Sequence, residues 1–472
     1  MVRKTKIICT LGPKTDDENI LKTLMLAGMN IARLNLSHES YDTHERRIKM
    51  VKRLREQLSL PIAIMLDTKG PEIRIKTFEN SKVFLEKGQK FVLTTEDIQG
   101  DNQRVSITYK KLPLCIQPGA MILLNDGLIE LEVQSIENNN IVCSVIEGGV
   151  LTNNKSLNIP NCRINMPYLS KQDEEDLIFG VKNDVDYIAM SFVRSADDVK
   201  EVRNLLNRNG GEEIEIIAKI ENREGVNNID EILRYSDGIM IARGDMGVEI
   251  PFEQLPSIQK DIIKKCYRAA KKVITATQML ESMIHAPKPT RAEISDIANA
   301  VFDGTSAIML SGETAIGDYP LQTVKTMASI ASYAESTIDF KKHFNALEIA
   351  IKNIADAVSH ATCAAAMDLN AAAILVVTQS GSTARMISSF RPAPPIIAVT
   401  TNKKVYHKLS LSWGVIPVLG VMQQNTDLLF AHAIDCAKKT GIVKKGDIVV
   451  ITAGVPVGVS GNTNILKIEH VK

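Results

Sequence analysis

Short apolar runs alternate with amphipathic stretches over the first seventy residues. Residues 6–10 predict a strand, and residues 17–27 carry apolar positions at helical spacing up to Gly28, a residue suited to close a helix. Residues 30–36 and 61–66 predict two further strands, joined by a helix over 44–58 that is charged along one side. Strands alternating with helices in this way form parallel sheets with helical crossovers. From about residue 70 to residue 167 the rhythm changes to short strand-like runs between Gly, Asn and Asp turns, at 90–95, 121–124, 128–133 and 141–145. Strand-helix alternation then resumes. Strands are predicted at 187–192, 215–220, 238–242, 273–276 and 307–310, and helices at 173–183, 195–207, 228–235, 256–270, 291–302 and 320–337.

Three strands before the interruption and five after it make eight, which predicts a TIM (β/α)8 barrel broken after its third strand by a small β-barrel domain. The pattern loosens near residues 338–346. Beyond it, helices at 351–369, 382–389 and 427–439 and strands at 373–378, 396–400 and 448–452 predict a separate C-terminal α/β domain. The expected fold class is α/β. The expected segments are 1–69 and 169–338 for the barrel, 70–168 for the inserted lid and 339–472 for the C-terminal domain.

Composition narrows this picture. Aromatic residues are only 4% of 472, so the core must be built from Ile, Leu, Val, Ala and Met, which suits α/β architecture better than a sandwich. A net charge of +1 gives no global field for nucleic acid or a membrane surface, so any anion site must be a local cluster. The seven cysteines, Cys9, Cys115, Cys143, Cys162, Cys266, Cys363 and Cys436, show no metal-ligand spacing and are expected as free thiols in a reducing compartment. No apolar run reaches the ~18 residues a membrane helix needs, and the N-terminus lacks a signal-peptide core. A cytoplasmic location is expected.

Reacting groups of such barrels come from the C-terminal ends of the strands. Those ends read Arg33 to His38, Asp67 to Gly70, Ser191 to Arg194, Lys219 to Asn222, Arg243 to Asp245, Thr277-Gln278 and Ser311 to Glu313. All are polar, while the strand interiors are apolar. Glu221 and Asp245 are hard carboxylates at adjacent strand ends, a pair suited to Mg²⁺. Lys219 precedes Glu221 by two positions and leaves the strand on the same face, where it could neutralise a phosphoryl group. Arg33 and Arg74 add fork-shaped donors. Two other readings of these residues are acids and bases that only pair with one another, and Lys219 as a Schiff-base lysine. Gly244 to Gly247 and Gly312 to Thr314 allow close approach to the backbone.

Several longer strings resemble pyruvate kinases. They are Ile-Ala-Arg-Leu-Asn-Leu-Ser-His at 31–38, Leu-Asp-Thr-Lys-Gly-Pro-Glu-Ile-Arg at 66–74, Ile-Ala-Lys-Ile-Glu-Asn at 217–222 and Ala-Arg-Gly-Asp-Met-Gly-Val-Glu at 242–249. Thr-Ala-Thr-Gln-Met-Leu at 275–280, Pro-Lys-Pro-Thr-Arg-Ala-Glu at 287–293 and Met-Leu-Ser-Gly-Glu-Thr at 309–314 complete the set. The resemblance covers essentially the whole chain. It implies the transfer of a phosphoryl group from phosphoenolpyruvate to ADP, the last step of glycolysis. It also implies that Glu221 and Asp245 hold Mg²⁺ (or Mn²⁺), that Lys219 stabilises the transferring group, and that Arg33 contacts the substrate phosphate. Gly244, Asp245 and Thr277 would hold the substrate carboxylate, with Thr277 on the route that protonates the enolate. Asn35, Ser37, Asp67 and Thr68 resemble a K⁺ site, and Arg74, His38 and Lys171 match positions facing the nucleotide. Glu72 accompanies a K⁺ requirement in this family, where a Lys would replace the ion's charge.

In the C-terminal part, Thr378, Ser380, Gly381, Ser382 and Thr383 lie between a strand and a helix with Arg385 just inside, an arrangement that suits a phosphate. The loop resembles the family's sugar-phosphate effector site. A simple helix N-cap at Ser380 or Ser382 is the other reading. The resemblance further implies an allosteric homotetramer, and the end of the chain shortly after residues 461–464 implies that the extra C-terminal domain of some relatives is absent. Another barrel enzyme acting on phosphoenolpyruvate or pyruvate, and a non-catalytic binding protein on the same fold, are the rival readings.

Overall fold

The computed structural model describes residues 2–160, 162, 166–347, 349–456 and 462–472. Eight parallel strands close into a barrel: Lys6–Thr10, Ile31–Asn35, Ala63–Asp67, Tyr187–Met190, Glu215–Ile220, Gly238–Ala242, Lys272–Ala276 and Ala307–Leu310. The strands carry near-continuous apolar runs because they are covered on both faces. Inside, Ile8, Ile31, Met65, Tyr187, Ile217, Met240, Ile274 and Met309 fill the barrel. Outside, a second layer seats the helices on the strands, with Leu21, Leu24, Val51, Val202, Ile263 and Met327 among its members. Helix starts are set by short polar side chains: Asp17, Ser40, Ser170, Ser195 and Thr290 each accept hydrogen bonds from the first-turn amides.

The insertion leaves the barrel after its third strand. Its strands form a six-stranded sheet, in the order Leu157–Asn158, Met121–Leu124, Ile129–Glu137, Asn140–Glu147, Lys90–Thr94 and Arg104–Ser106, and a pair made by Lys82–Leu85 and Gly149–Thr152. The sheet curls around its own core of Phe78, Phe91, Leu93, Leu131 and Val145. The C-terminal sheet orders Val415–Leu419, Ile396–Thr400, Ala373–Val377, Ile448–Gly454 and Thr463–His470, the last strand antiparallel. This domain caps the barrel's N-terminal end, where its Leu411 joins the barrel's interior cluster.

Three features differ from the sequence reading. The strand expected at 187–192 stops at Met190, because Phe192 takes a left-handed backbone (φ 55°) that turns its amide toward a neighbouring carboxylate. The strands Val415–Leu419 and Thr463–His470 and the helix Lys403–Lys408 have no counterpart in it. The last strand mixes exposed and half-buried positions along an edge, so its apolar signal is weak. Neither Ser380 nor Ser382 caps the helix Ser382–Ser389. Left-handed Gly381 (φ 78°) holds that position, with no side-chain cap.

Candidate active site

The barrel register sets Asn35 beside Asp67 and Lys219 beside Met240, so the polar ends of the second to sixth strands meet at one mouth. Arg33 Nε donates to Asp67 Oδ2 at 2.7 Å, and its Nη1 donates to Thr10 Oγ1 at 2.8 Å. Lys219 Nζ lies 3.0 Å from Asp67 Oδ1 and 3.1 Å from Glu221 Oε1, and donates to Ser191 Oγ at 2.6 Å. The Phe192 amide donates to Glu221 Oε2 at 2.5 Å. Arg33, Asp67, Lys219 and Glu221 are all buried. One chain of contacts therefore joins four side chains that lie up to 188 positions apart in the sequence.

The electrostatics follow from burial and charge count. Burial opposes the charge of Asp67, but Arg33 and Lys219 outweigh it and hold the carboxyl below its usual range. Burial likewise opposes the charge of Lys219, but Asp67 and Glu221 outweigh it, so the ammonium holds its proton more tightly than an ordinary lysine. A lysine paired with two carboxylates at 3.0 and 3.1 Å does not suit the Schiff-base reading, which needs a neutral amine. Glu221 goes the other way. Burial pushes it up to about 8, with Asp245 adding to the rise and Lys219 only partly offsetting it.

Asp245 lies half-buried on the short helix Arg243–Glu249, close enough for its charge to act on both Lys219 and Glu221. Thr277 is also left-handed (φ 69°). Its Oγ1 accepts from the Gly244 amide at 2.8 Å and donates to the Ala276 carbonyl at 2.6 Å. Gly244 leaves the approach to this hydroxyl open, since a Cβ there would sit 3.5 Å from Thr277 Oγ1.

Glu221, pushed up by burial and further by Asp245, and Asp245 itself fit a divalent cation, whose charge would offset both effects. Among the described residues no group of three or more His, Cys, Asp and Glu side chains converges on one point.

The remaining candidates sit around this centre. Asn35 is half-buried, while Ser37, His38 and Lys171 are exposed on the rim. Thr68 is buried, and its carbonyl accepts from Ser191 Oγ at 2.7 Å. Arg74 is at the root of the insertion, where its Nε donates to Glu72 Oε2 at 2.8 Å and its Nη1 to the Asn154 carbonyl at 2.7 Å. Thr378, Ser380, Ser382 and Thr383 are not at this mouth; they line a separate cavity in the C-terminal domain. The Gly381 amide donates to Thr378 Oγ1 at 3.0 Å, which shapes the loop there.

Sequence reasoning gave no role to Thr10, which holds Arg33, or to Ser191, which holds Lys219. The polar end of the fourth strand pointed toward Ser191, but nothing in one dimension tied it to a lysine 28 residues on.

Comparison with known proteins bears on all of this. The family model for the pyruvate kinase barrel domain matches residues 2–324, and that for the pyruvate kinase alpha/beta domain matches residues 356–469. A pyruvate kinase of Clostridium acetobutylicum is 51% identical over 473 residues, covering all of both chains. One of Clostridium perfringens is 46% identical over 474 residues, again covering all of both. One of Geobacillus stearothermophilus is 48% identical over all of this chain and 81% of its own length. Among the described residues no helix is long and apolar enough to cross a membrane. The chain belongs to the pyruvate kinase family, a metal-requiring phosphotransferase family, and it transfers the phosphoryl group of phosphoenolpyruvate to ADP, giving pyruvate and ATP.

Proposed function

We propose that the reaction runs at the barrel mouth around Lys219, with Arg33, Glu221, Asp245 and Thr277 in the roles their family motifs carry. The observation that supports this most is the buried contact chain from Arg33 through Asp67 and Lys219 to Glu221. Both substrates are anions, so the site must cancel their repulsion. Lys219 meets the phosphoryl group as a cation and does not give up its proton. Arg33, fixed by Asp67 and Thr10, presents its free edge to the substrate phosphate. Gly244 and Asp245, in the first turn of the helix Arg243–Glu249, receive the substrate carboxylate together with Thr277. The Thr277 hydroxyl lies on the proton route that turns the enolate into a ketone, the step that makes transfer to ADP strongly downhill.

Glu221 and Asp245 would hold Mg²⁺ (or Mn²⁺), and Asn35, Ser37, Asp67 and Thr68 would hold K⁺; when bound, the two ions supply positive charge to the phosphoryl oxygens. Glu72 supports the K⁺ requirement, since this position carries no cation of its own and its partner Arg74 is already engaged. Arg74, His38 and Lys171 would face the nucleotide, under a lid formed by the insertion.

The C-terminal loop Thr378–Thr383 would take the phosphate of a sugar-phosphate effector. Thr378, Ser380, Ser382 and Thr383 line that cavity together with His432, hydroxyls and an imidazole that suit a phosphate. The enzyme would act in the cytoplasm as a homotetramer. Its segments would divide as 1–69 with 169–338, 70–168 and 339–472; residues 161 and 163–165 of the lid segment lie outside the described ones.

Initial rates with phosphoenolpyruvate and ADP, taken in Na⁺-only and in K⁺ buffer, with and without single sugar phosphates, test these roles together. Equal rates in the two salts would remove the K⁺ assignment. An unchanged rate after Thr378→Ala and Thr383→Ala, in an enzyme that otherwise responds to a sugar phosphate, would remove the effector assignment.

A further inference from the structure

Five of the seven cysteines, Cys9, Cys143, Cys266, Cys363 and Cys436, are buried. The other two, Cys115 and Cys162, are half-exposed, both belong to the inserted domain, and they meet in space although they are 47 residues apart. Cys162 Sγ donates to the Cys115 carbonyl at 3.2 Å, and Cys115 Sγ donates to the Lys111 carbonyl at 3.4 Å. The two residues open onto one cavity of ≈ 670 Å³, shared with Met121, Glu130 and Pro160. The neighbourhood couples them further. Burial raises the Cys162 thiol and the nearby Cys115 thiol raises it again, while the Tyr109 hydroxyl shares a hydrogen bond with Cys115.

Their places in the fold differ. Cys115 closes the single-turn helix Leu112–Leu114 within the body of the insertion. Cys162 lies after the insertion's last strand, Leu157–Asn158, on the segment that returns the chain to the barrel helix Lys171–Lys182. Described residues before and after Cys162 touch the barrel. Asn158 Nδ2 donates to Glu249 Oε1 at 3.4 Å, and Arg194 Nη2 donates to the Met166 carbonyl at 2.9 Å. Cys162 also lines the cleft of ≈ 540 Å³ between insertion and barrel, together with Glu72, Phe192 and Asn222.

We propose that Cys115 and Cys162 are a redox pair, which a peroxide joins as a disulfide that ties the body of the lid to its return segment and slows turnover. With hydrogen peroxide the step balances. Each thiol gives up one proton and one electron, the Sγ–Sγ bond forms, the O–O bond breaks, and two waters leave. A thiol reductant reverses it by exchange. Thiols in a reducing compartment form bonds of this kind transiently, as sensors. The linkage rests on the contact of Cys162 Sγ with the Cys115 carbonyl and on the cavity the two residues share. The slowing rests on the proposed lid role, because a lid that must open and close limits turnover when it is tethered.

The test exposes the full-length enzyme to hydrogen peroxide, maps its peptides without reduction by mass spectrometry, and measures kcat before and after dithiothreitol. The expected result is a peptide joining Cys115 to Cys162 and a fall in kcat of about threefold or more, reversed by dithiothreitol and absent from Cys115→Ser and from Cys162→Ser. The two variants serve as alternates if one fails to fold. Recovery of both thiols only as separate oxidation products would overturn the pairing. A joined peptide with unchanged kcat would overturn the regulatory role while leaving the catalytic assignment intact. Slowing that persists in both serine variants would place the sensitive group elsewhere.

Discussion

The strand Glu215–Ile220 carries a buried charge toward each end, and the two ends of the barrel treat those charges in opposite ways. At the base, Glu215 pairs with Lys272 and lies 3.6 Å from Arg385 and 4.0 Å from Lys408 of the C-terminal domain. Burial opposes its charge, but the three cations outweigh it and hold the carboxyl at about 2. Nearby, Lys6 Nζ donates to the Val415 carbonyl at 2.6 Å and Arg391 Nη2 to the Gly304 carbonyl at 2.9 Å. Glu215 meets three cations, Lys6 and Arg391 meet backbone carbonyls across the domain boundary, and what results is a docked domain. At the mouth, three carboxylates, Asp67, Glu221 and Asp245, share two cations, Lys219 and Arg33, and Glu221 is pushed up to about 8. Burial is the same at both ends, so the charge count makes the difference. A surplus of cations around one carboxylate docks a domain, and a deficit of positive charge leaves a site for ions and substrate.

The comparison breaks most directly at the mouth. Lys219→Met should lower kcat by roughly thousandfold or more, with phosphoenolpyruvate affinity little changed in steady-state and binding measurements. A mild loss would put the reaction elsewhere. At the base, Glu215→Ala removes one partner of a buried charge cluster and should destabilise the chain by about 3–5 kcal/mol in denaturant unfolding, while kcat per folded molecule stays close to the parent value. A large loss of kcat with unchanged stability would mean that the two ends are not separate in function.

Ser191→Ala sharpens the contrast from within the mouth. It removes a hydrogen bond to a charged group, worth about 1.5–3 kcal/mol, and should lower the melting temperature and also cost about tenfold or more in kcat per folded molecule. The smallest effect is acid sensitivity. The Glu215 carboxyl lies at about 2 against an ordinary 4.5, so its contribution to stability is complete above the higher value and fades as pH falls toward the lower one. The gap in melting temperature between the parent and Glu215→Gln should therefore stay constant at neutral pH and narrow below 4.5. A gap that widened in acid would contradict the pairing.

Much of the barrel was legible because its signal is local. Four of its strands, Lys6–Thr10, Glu215–Ile220, Gly238–Ala242 and Ala307–Leu310, coincide with their apolar runs, and so does the helix Arg291–Phe302. The polar strand ends marked the functional face for the same reason. Legibility failed where geometry depends on a distant partner. The fourth strand stops early because the Phe192 amide turns to Glu221, 29 positions away. The edge strand Thr463–His470 exists because Ile448–Gly454 offers a pairing edge. Gly381 caps its helix because only a left-handed residue closes that loop, a property that the serines on either side concealed.

The amino-acid sequence by itself determined the alternation of strands and helices, the place of the interruption, and which residue types could reach the mouth, since periodicity and burial preference act over a few neighbouring positions. Only the tertiary structure decided which of those charges touch, that Ser191 and Thr10 hold the two cations, that Cys115 meets Cys162, and that Leu411 enters the barrel from another domain. Those outcomes depend on distances across the closed sheet and between domains, and on how many opposite charges share each buried space. Neither quantity exists until the chain is folded.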